Sequence, residues 1–160
     1  MNFLIYRWCV VFYFLASLAH SLYMNIGFFD TYMIYWTHLN IIASLITMTL
    51  TAVLVTLYHF DKFKVNNSMP VVLRIYWVLW NQTTVFAFLI ISTYWALLNK
   101  VDLVESNYML APILNSVVPL VDLFIVNHPP RFTHFFYVTL TGLGYVGFTV
   151  AYQLTGGLNR

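Results

Sequence analysis

Residues 33–58 read MIYWTHLNIIASLITMTLTAVLVTLY and contain no Asp, Glu, Lys or Arg. An α-helix needs about 20 consecutive apolar residues to cross a bilayer, so this stretch is long enough to span one. Four further apolar runs occupy residues 4–24, 71–98, 108–126 and 132–154. Backbone groups in lipid must be satisfied within a helix or a closed barrel, and unalternating runs of this length favour helices. The sequence therefore predicts an all-α, polytopic transmembrane helical bundle with five spans, built as a single membrane domain over residues 1–160.

The composition supports lipid as the main solvent of this chain. Apolar types make up 61% of the 160 residues and charged types only 8%, whereas a soluble domain carries about a quarter charged residues. The net charge of +2 is too small and too scattered to indicate nucleic-acid binding. We expect the lipid bilayer as the main partner, with a membrane-protein partner or a lipid ligand as further candidates.

The basic residues predict the orientation in the membrane. With five crossings, one group of Lys and Arg falls on one side and a smaller group on the other. The first group is Arg7, Lys62, Lys64, Arg74 and Arg131, and the second is Lys100 and Arg160. An excess of Lys and Arg marks the cytoplasmic side, so the N-terminus is predicted to be cytoplasmic. We expect an integral, multi-pass protein of the plasma membrane or an endomembrane.

The first apolar run has an alternative interpretation as a cleaved signal peptide. Arg7 would form its basic region, residues 8–16 its apolar core, and the small residues at 17–19 its cleavage site. The run is longer than the usual core of a signal peptide, and further spans follow it. We therefore predict a retained helix.

Small and polar residues recur inside the second span at intervals of three or four. They are Thr37, Asn40, Ser44, Thr47 and Thr51. This spacing places them on one helical face, and such residues commonly line contacts between membrane helices. The stripe therefore predicts a packing face.

Asp122 is the ionisable residue whose position in a membrane helix has the highest free-energy cost. A carboxylate inside a membrane helix costs about 2.5–3.5 kcal/mol on insertion scales, so it needs a partner or a function. His128, Arg131 and His134 follow shortly after it. We predict that these four residues form a polar cluster facing the cytoplasm, with a proton relay or a lipid-headgroup site as the alternative.

Three residues of different spans should lie at similar depth in the outer leaflet: His20, Thr37 and Asn115. A Thr hydroxyl becomes a nucleophile when a base lies within hydrogen-bonding distance. His38 lies about 100° around the helix from Thr37 and is poorly placed to serve it, whereas His20 could serve if the first two helices are neighbours. The five His residues show no HxxxH or HxH spacing, so neither a metal site nor a cofactor is predicted.

Three segments carry a resemblance to a known family. They read YWTHLN at 35–40, YWVLWN at 76–81, and NSVVPLVDLFIVNHPPR at 115–131 followed by His134. With them the chain resembles the insect Rolling stone family of multi-pass membrane proteins. The resemblance implies a role in cell–cell (myoblast) fusion, hence in muscle development, or in membrane interaction. It also implies a sixth helix after the fifth, whereas the sequence ends at Arg160.

Rolling stone proteins are in turn distantly similar to the androgen-induced membrane hydrolases that cleave fatty acid esters of hydroxy fatty acids. That similarity implies an intramembrane catalytic Thr and His. Thr37 matches the Thr position, but the His position falls on Asn115, which cannot act as a general base. His20 would then have to supply the base. The primary prediction is therefore a non-catalytic membrane protein, and the alternative is an intramembrane lipid-ester hydrolase that uses Thr37.

Overall fold

The computed structural model describes residues 2–26, 32, 34–60, 70–93, 96, 106–126 and 133–156, with only the backbone at 106–114 and 133–134. These residues form five α-helices and no strand. The helices are α1 (Asn2–Met24), α2 (Trp36–His59), α3 (Val71–Thr93), α4 (Ser106–Val126) and α5 (Thr133–Leu154). The predicted all-α class is confirmed.

Helix length and composition fit a membrane environment. Within the described residues, α1, α2, α3 and the Phe135–Leu154 part of α5 are long and apolar enough to cross a bilayer. The described side chains of α4 cover Asn115–Val126, which is a shorter apolar stretch. The chain is a multi-pass membrane protein, and a fifth crossing through α4 remains a prediction.

Proline and glycine mark two of the helix ends. Pro70 directly precedes α3, and its carbonyl accepts bonds from the backbone N–H of Leu73 at 3.0 Å and of Arg74 at 3.4 Å. Proline suits this position because the first turn of a helix has no use for its missing N–H. α5 ends before Gly156, which has a φ of 80° and donates its N–H to the Gln153 carbonyl at 3.1 Å. Glycine adopts this left-handed conformation without the steric penalty of a Cβ atom.

Residues 1–128 form one compact unit. In it α1 packs on α2, α2 on α3 and α3 on α4, with smaller contacts from α4 to α1 and α2. One buried cluster joins α1 to α2, and Val118 of α4 packs against it; its members are Val10, Val11, Phe14, Met48 and Ala52. A second joins α2 to α3 through Leu54, Tyr76 and Trp80, with Leu123 of α4 against it. Because lipid is as apolar as these side chains, close van der Waals packing rather than exclusion of water holds them together.

The polar stripe of α2 is a packing face. Four of its five residues are buried, namely Asn40, Ser44, Thr47 and Thr51, and Thr37 is partly buried. The Thr47 hydroxyl donates to the Ala43 carbonyl at 2.8 Å, and the Thr51 hydroxyl donates to the Thr47 carbonyl at 2.7 Å. Bonds of this kind satisfy a hydroxyl inside its own helix, where no water is at hand.

Residues 129–160 form a second unit, which contains α5. Large apolar side chains are exposed along this helix, among them Phe135, Phe136, Leu143 and Leu154. Gly142, Tyr145, Thr149 and Tyr152 are partly buried and recur every three or four residues. α5 therefore has one apolar exposed side and one narrower, more polar side.

Candidate functional site

The carboxylate of Asp122 is the centre of a buried polar cluster. Arg7 Nη1 donates to Asp122 Oδ1 at 2.6 Å, and the Tyr6 hydroxyl donates to the same oxygen at 3.3 Å. Trp80 Nε1 donates to the other oxygen, Oδ2, at 3.2 Å. We call Tyr6, Arg7, Trp80 and Asp122 the Asp122 cluster. It joins α1, α3 and α4 at one point.

The ion pair of this cluster is removed from solvent and lipid. The Arg7 side chain is 1% exposed and the Asp122 side chain 0%. The Arg7 guanidinium also lies over the rings of Phe3, at 4.7 Å from Cζ to centroid, and of Tyr6, at 5.5 Å. Aromatic faces attract a cation electrostatically, and Arg suits such sites because its guanidinium is planar and weakly hydrated. The positive charge is therefore close both to a carboxylate and to two aromatic rings.

The helix directions bring these residues to one level. Tyr6 contacts Asp122 and Tyr13 contacts Asn115, so residue numbers rise along α1 as they fall along α4. The two helices are therefore antiparallel. Arg7 lies in the second turn of α1, and Asp122 in the turn before the last of α4.

α2 is tied to the same level by neutral hydrogen bonds. Trp8 Nε1 of α1 donates to the Thr56 hydroxyl of α2 at 3.2 Å. That hydroxyl donates in turn to the Ala52 carbonyl at 2.7 Å. Tyr76 of α3 packs with Leu54 of α2 in the second buried cluster. All four helices of the first unit thus meet in one polar layer.

This arrangement is suited to holding helices together. In the three described hydrogen bonds of Asp122 the partner donates and the carboxylate accepts, so each bond joins another helix to α4. A carboxylate with no exposed surface cannot touch a substrate or a lipid headgroup in this conformation. Among the described residues, no group of three or more His, Cys, Asp and Glu side chains could hold a metal ion.

The predicted cytoplasmic cluster is only partly within the described residues. Asp122 is fully buried, as its cost in lipid requires. His128 and Arg131 lie outside the described residues, and so does the side chain of His134. Pairing of Asp122 with these three residues remains a prediction.

The three candidate catalytic residues occupy different environments. Asn115 is buried, and its Oδ1 accepts a hydrogen bond from the Tyr13 hydroxyl at 3.5 Å. Thr37 is partly buried in the first turn of α2, and His20 is exposed near the end of α1. Within the part of the chain that the structure describes, no hydrogen bond joins Thr37 to His20 or to Asn115.

His38, the neighbour of Thr37, is engaged elsewhere. Its Nδ1 lies 2.9 Å from the Tyr32 carbonyl oxygen. Its ring stacks on the Tyr32 ring, with centroids 3.9 Å apart and planes 4° from parallel. Tyr32 also donates from its hydroxyl to the Ser21 hydroxyl at 3.0 Å, which links this group to α1. The aromatic contact of His38 thus joins α2 to Tyr32 in the preceding segment, and the Tyr32 hydroxyl joins that segment to α1.

Arg7 is the residue whose role the sequence analysis did not predict. The sequence marks Arg7 as a basic residue for orientation and as the basic region of a possible signal peptide, although it lies within α1 and is fully buried. The signal was available, because an ionisable residue inside a membrane helix needs a partner of opposite charge. The predicted topology already placed Arg7 and Asp122 towards the same side of the membrane.

Comparison with known proteins assigns the chain to a family. No solved structure matches it. The Protein rolling stone of Drosophila melanogaster is 30% identical over 175 residues, which cover 99% of this chain and 62% of that protein. The chain therefore spans less than two thirds of that relative's length. The family model described as Protein rolling stone matches residues 1–160, so the chain belongs to the rolling stone family.

Proposed function

We propose that this protein acts without catalysis in the membrane, in cell–cell (myoblast) fusion or another membrane interaction. The family assignment over residues 1–160 supports the proposal, because the resemblance to that family implies such a role. The non-catalytic part of the proposal rests on the contacts that the buried ionisable groups make with each other. Arg7 and Asp122 bond to each other, and their neighbours in the Asp122 cluster bond to the same carboxylate.

An enzyme would need a reactive group that can reach its substrate. Asp122 has no exposed surface, and Asn115 is buried with its Oδ1 bonded to Tyr13. Polar groups that form contacts between helices hold the bundle together instead. The bundle then acts through the outer surfaces that it presents to lipid and to other proteins.

The alternative function, a lipid-ester hydrolase, rests on the match at Thr37. Thr37 would need a base within about 2.6–3.2 Å, directly or through one water. Nδ1 of His38, the residue next to Thr37, lies within hydrogen-bonding distance of the Tyr32 carbonyl oxygen. His20 is exposed near the end of α1. No observation on the described residues favours this alternative, and it remains a prediction.

The experiment is a rescue test in precursor muscle cells that lack the gene. Wild type, Thr37→Ala and a matched control, Thr49→Ala, are expressed at equal membrane levels. Thr49 is also partly buried on α2 and is not a candidate catalytic residue. We expect all three proteins to restore fusion.

The other outcomes each decide a point. Failure of the wild type at normal membrane levels would remove fusion as the function. Loss of rescue in Thr37→Ala alone would favour chemistry at Thr37. The second measurement is turnover of fatty acid esters of hydroxy fatty acids by the purified protein, where hydrolysis that Thr37→Ala abolishes would establish the enzyme.

A further inference from the structure

We propose that α1 is a permanent helix of the folded protein and that its Arg7 is required to keep α4 in the membrane. This inference concerns how the bundle is assembled, so it goes beyond the proposed function. It holds whether the protein acts in fusion or as an enzyme.

The first step is the polar content of α4. Along its length the sequence includes Pro112, Asn115, Ser116, Pro119 and Asp122. Each proline removes one backbone hydrogen bond, and an Asp is among the residues that oppose insertion most strongly. The helix nevertheless continues from Ser106 to Val126. A span with this content is expected to depend on its neighbours rather than to insert alone.

The second step is the complementary charge on α1. Arg7 opposes insertion for the same reason as Asp122, since an unpaired charge in hydrocarbon is costly. Arg7 Nη1 and Asp122 Oδ1 are 2.6 Å apart, and both side chains are almost completely buried. Each helix therefore carries the counter-charge that the other needs. A pair of this kind couples the two helices although α2 and α3 separate them in the chain.

The third step concerns removal of α1. Cleavage at residues 17–19, as in the signal-peptide alternative, would take away Tyr6 and Arg7. Of the described donors only Trp80 would then remain on the Asp122 carboxylate. The same cut would remove Val10, Val11 and Phe14 from the core and Trp8 from Thr56. Removal of α1 would therefore take away two of the three described donors of Asp122 and three residues of the cluster between α1 and α2.

The experiment uses the full chain with an epitope tag at its N-terminus and a glycosylation tag after Arg160. The first tag reports whether α1 is kept, and the second reports on which side the C-terminus lies. Asn66→Gln is included in every protein because it removes the N-glycosylation sequon Asn66-Asn67-Ser68, and the other sequon, Asn81-Gln82-Thr83, lies inside α3. The variants are Arg7→Leu, Asp122→Leu, the double replacement, and the charge exchange Arg7→Asp with Asp122→Arg. Arg74→Leu is the matched control, because it removes another arginine of the group predicted to be cytoplasmic, and Arg74 is exposed on α3.

We expect the mature protein to keep its N-terminal tag. Each single replacement should lower the fraction with the wild-type topology and a folded peak in detergent by about tenfold or more, because one buried charge is left without its partner. The double replacement should recover most of that loss, and the charge exchange should recover part of it. Arg74→Leu should behave as wild type.

Three outcomes would overturn the proposal. The first is a mature protein that lacks the N-terminal tag. The second is a set of single variants with wild-type topology and yield. The third is a double replacement that is no better than either single one, because independent losses would then replace a coupled pair.

Discussion

Arg7 Nη1 and Asp122 Oδ1 form a 2.6 Å hydrogen-bonded ion pair although 115 positions separate the two residues in the sequence. The pair closes the first unit by joining its first helix to its fourth. Either charge alone would be expensive in lipid, whereas the pair with its aromatic and indole neighbours is accommodated in the interior. A polar contact thus joins two helices that are distant in sequence, in addition to the packing of Val118 against the cluster between α1 and α2.

Trp80 should contribute to stability through its indole N–H as well as through packing. Trp80→Phe removes the bond to Asp122 Oδ2, the oxygen that Arg7 does not reach in the described contacts. Leaving a charged acceptor short of one donor lowers the free energy of unfolding by about 1–3 kcal/mol, and the smaller ring lowers it further through lost packing. Thermal unfolding of the purified protein in detergent measures the change.

A second background separates the two contributions of Trp80. In the Arg7→Leu/Asp122→Leu protein the carboxylate is gone, so Trp80→Phe should cost only the packing loss. The cost in that background should therefore be smaller than in the wild type. Equal costs in the two backgrounds would show that the 3.2 Å bond contributes nothing measurable.

The tie between α1 and α2 through Thr56 should be weaker than the ion pair. Thr56→Val keeps the shape of the side chain but removes the acceptor of the Trp8 indole bond at 3.2 Å. Hydrogen bonds between membrane helices contribute about 0.6 kcal/mol on average, so a small loss of stability is expected. Thr49→Val, on the same helix and also partly buried, is the control and should change stability less. A larger loss in Thr49→Val would contradict the assignment of this bond.

The helical class of this protein could be predicted because lipid imposes a simple length rule. A run such as 33–58 has no charged residue and no strand-like alternation, so a helix is the natural way to satisfy its backbone. Helix ends were harder to place, because apolar residues continue past them. The second run begins at residue 33, whereas α2 begins at Trp36.

The sequence could predict the importance of Asp122 but not the identity of its partners. Asp122 stood out because a carboxylate is conspicuous in an apolar run, and residues near it in sequence were proposed as partners. Its described partners Tyr6, Arg7 and Trp80 lie on two other helices. A sequence gives the depth of a residue in the membrane but not the neighbours of its helix. For the same reason, similar depth could not show that Asn115 bonds to Tyr13.

Ser44 should tolerate the loss of its hydroxyl. The side chain is 0% exposed, and its Oγ has no hydrogen-bond partner within the described residues. Removing a buried hydroxyl that bonds to nothing is close to neutral or stabilising, so Ser44→Ala should leave the melting temperature unchanged or raise it. Ser44→Leu tests the packing at the same position and should destabilise by about 1–3 kcal/mol, because extra methylenes do not fit a closed contact. A marked loss of stability in Ser44→Ala would show that the hydroxyl does have a partner.

Two glycines of the second unit should respond to alanine in opposite directions. At Gly144, inside α5, an added Cβ meets nothing within 4 Å, so Gly144→Ala should stabilise the helix by up to about 1 kcal/mol. At Gly156 the space is equally open, but φ is +80°, so Gly156→Ala should destabilise the helix end by about 1 kcal/mol or more. The melting temperature in detergent compares the two variants directly. A loss of stability in Gly144→Ala would contradict the open space at that position, and an unchanged Gly156→Ala protein would show that its left-handed turn is not needed to end α5.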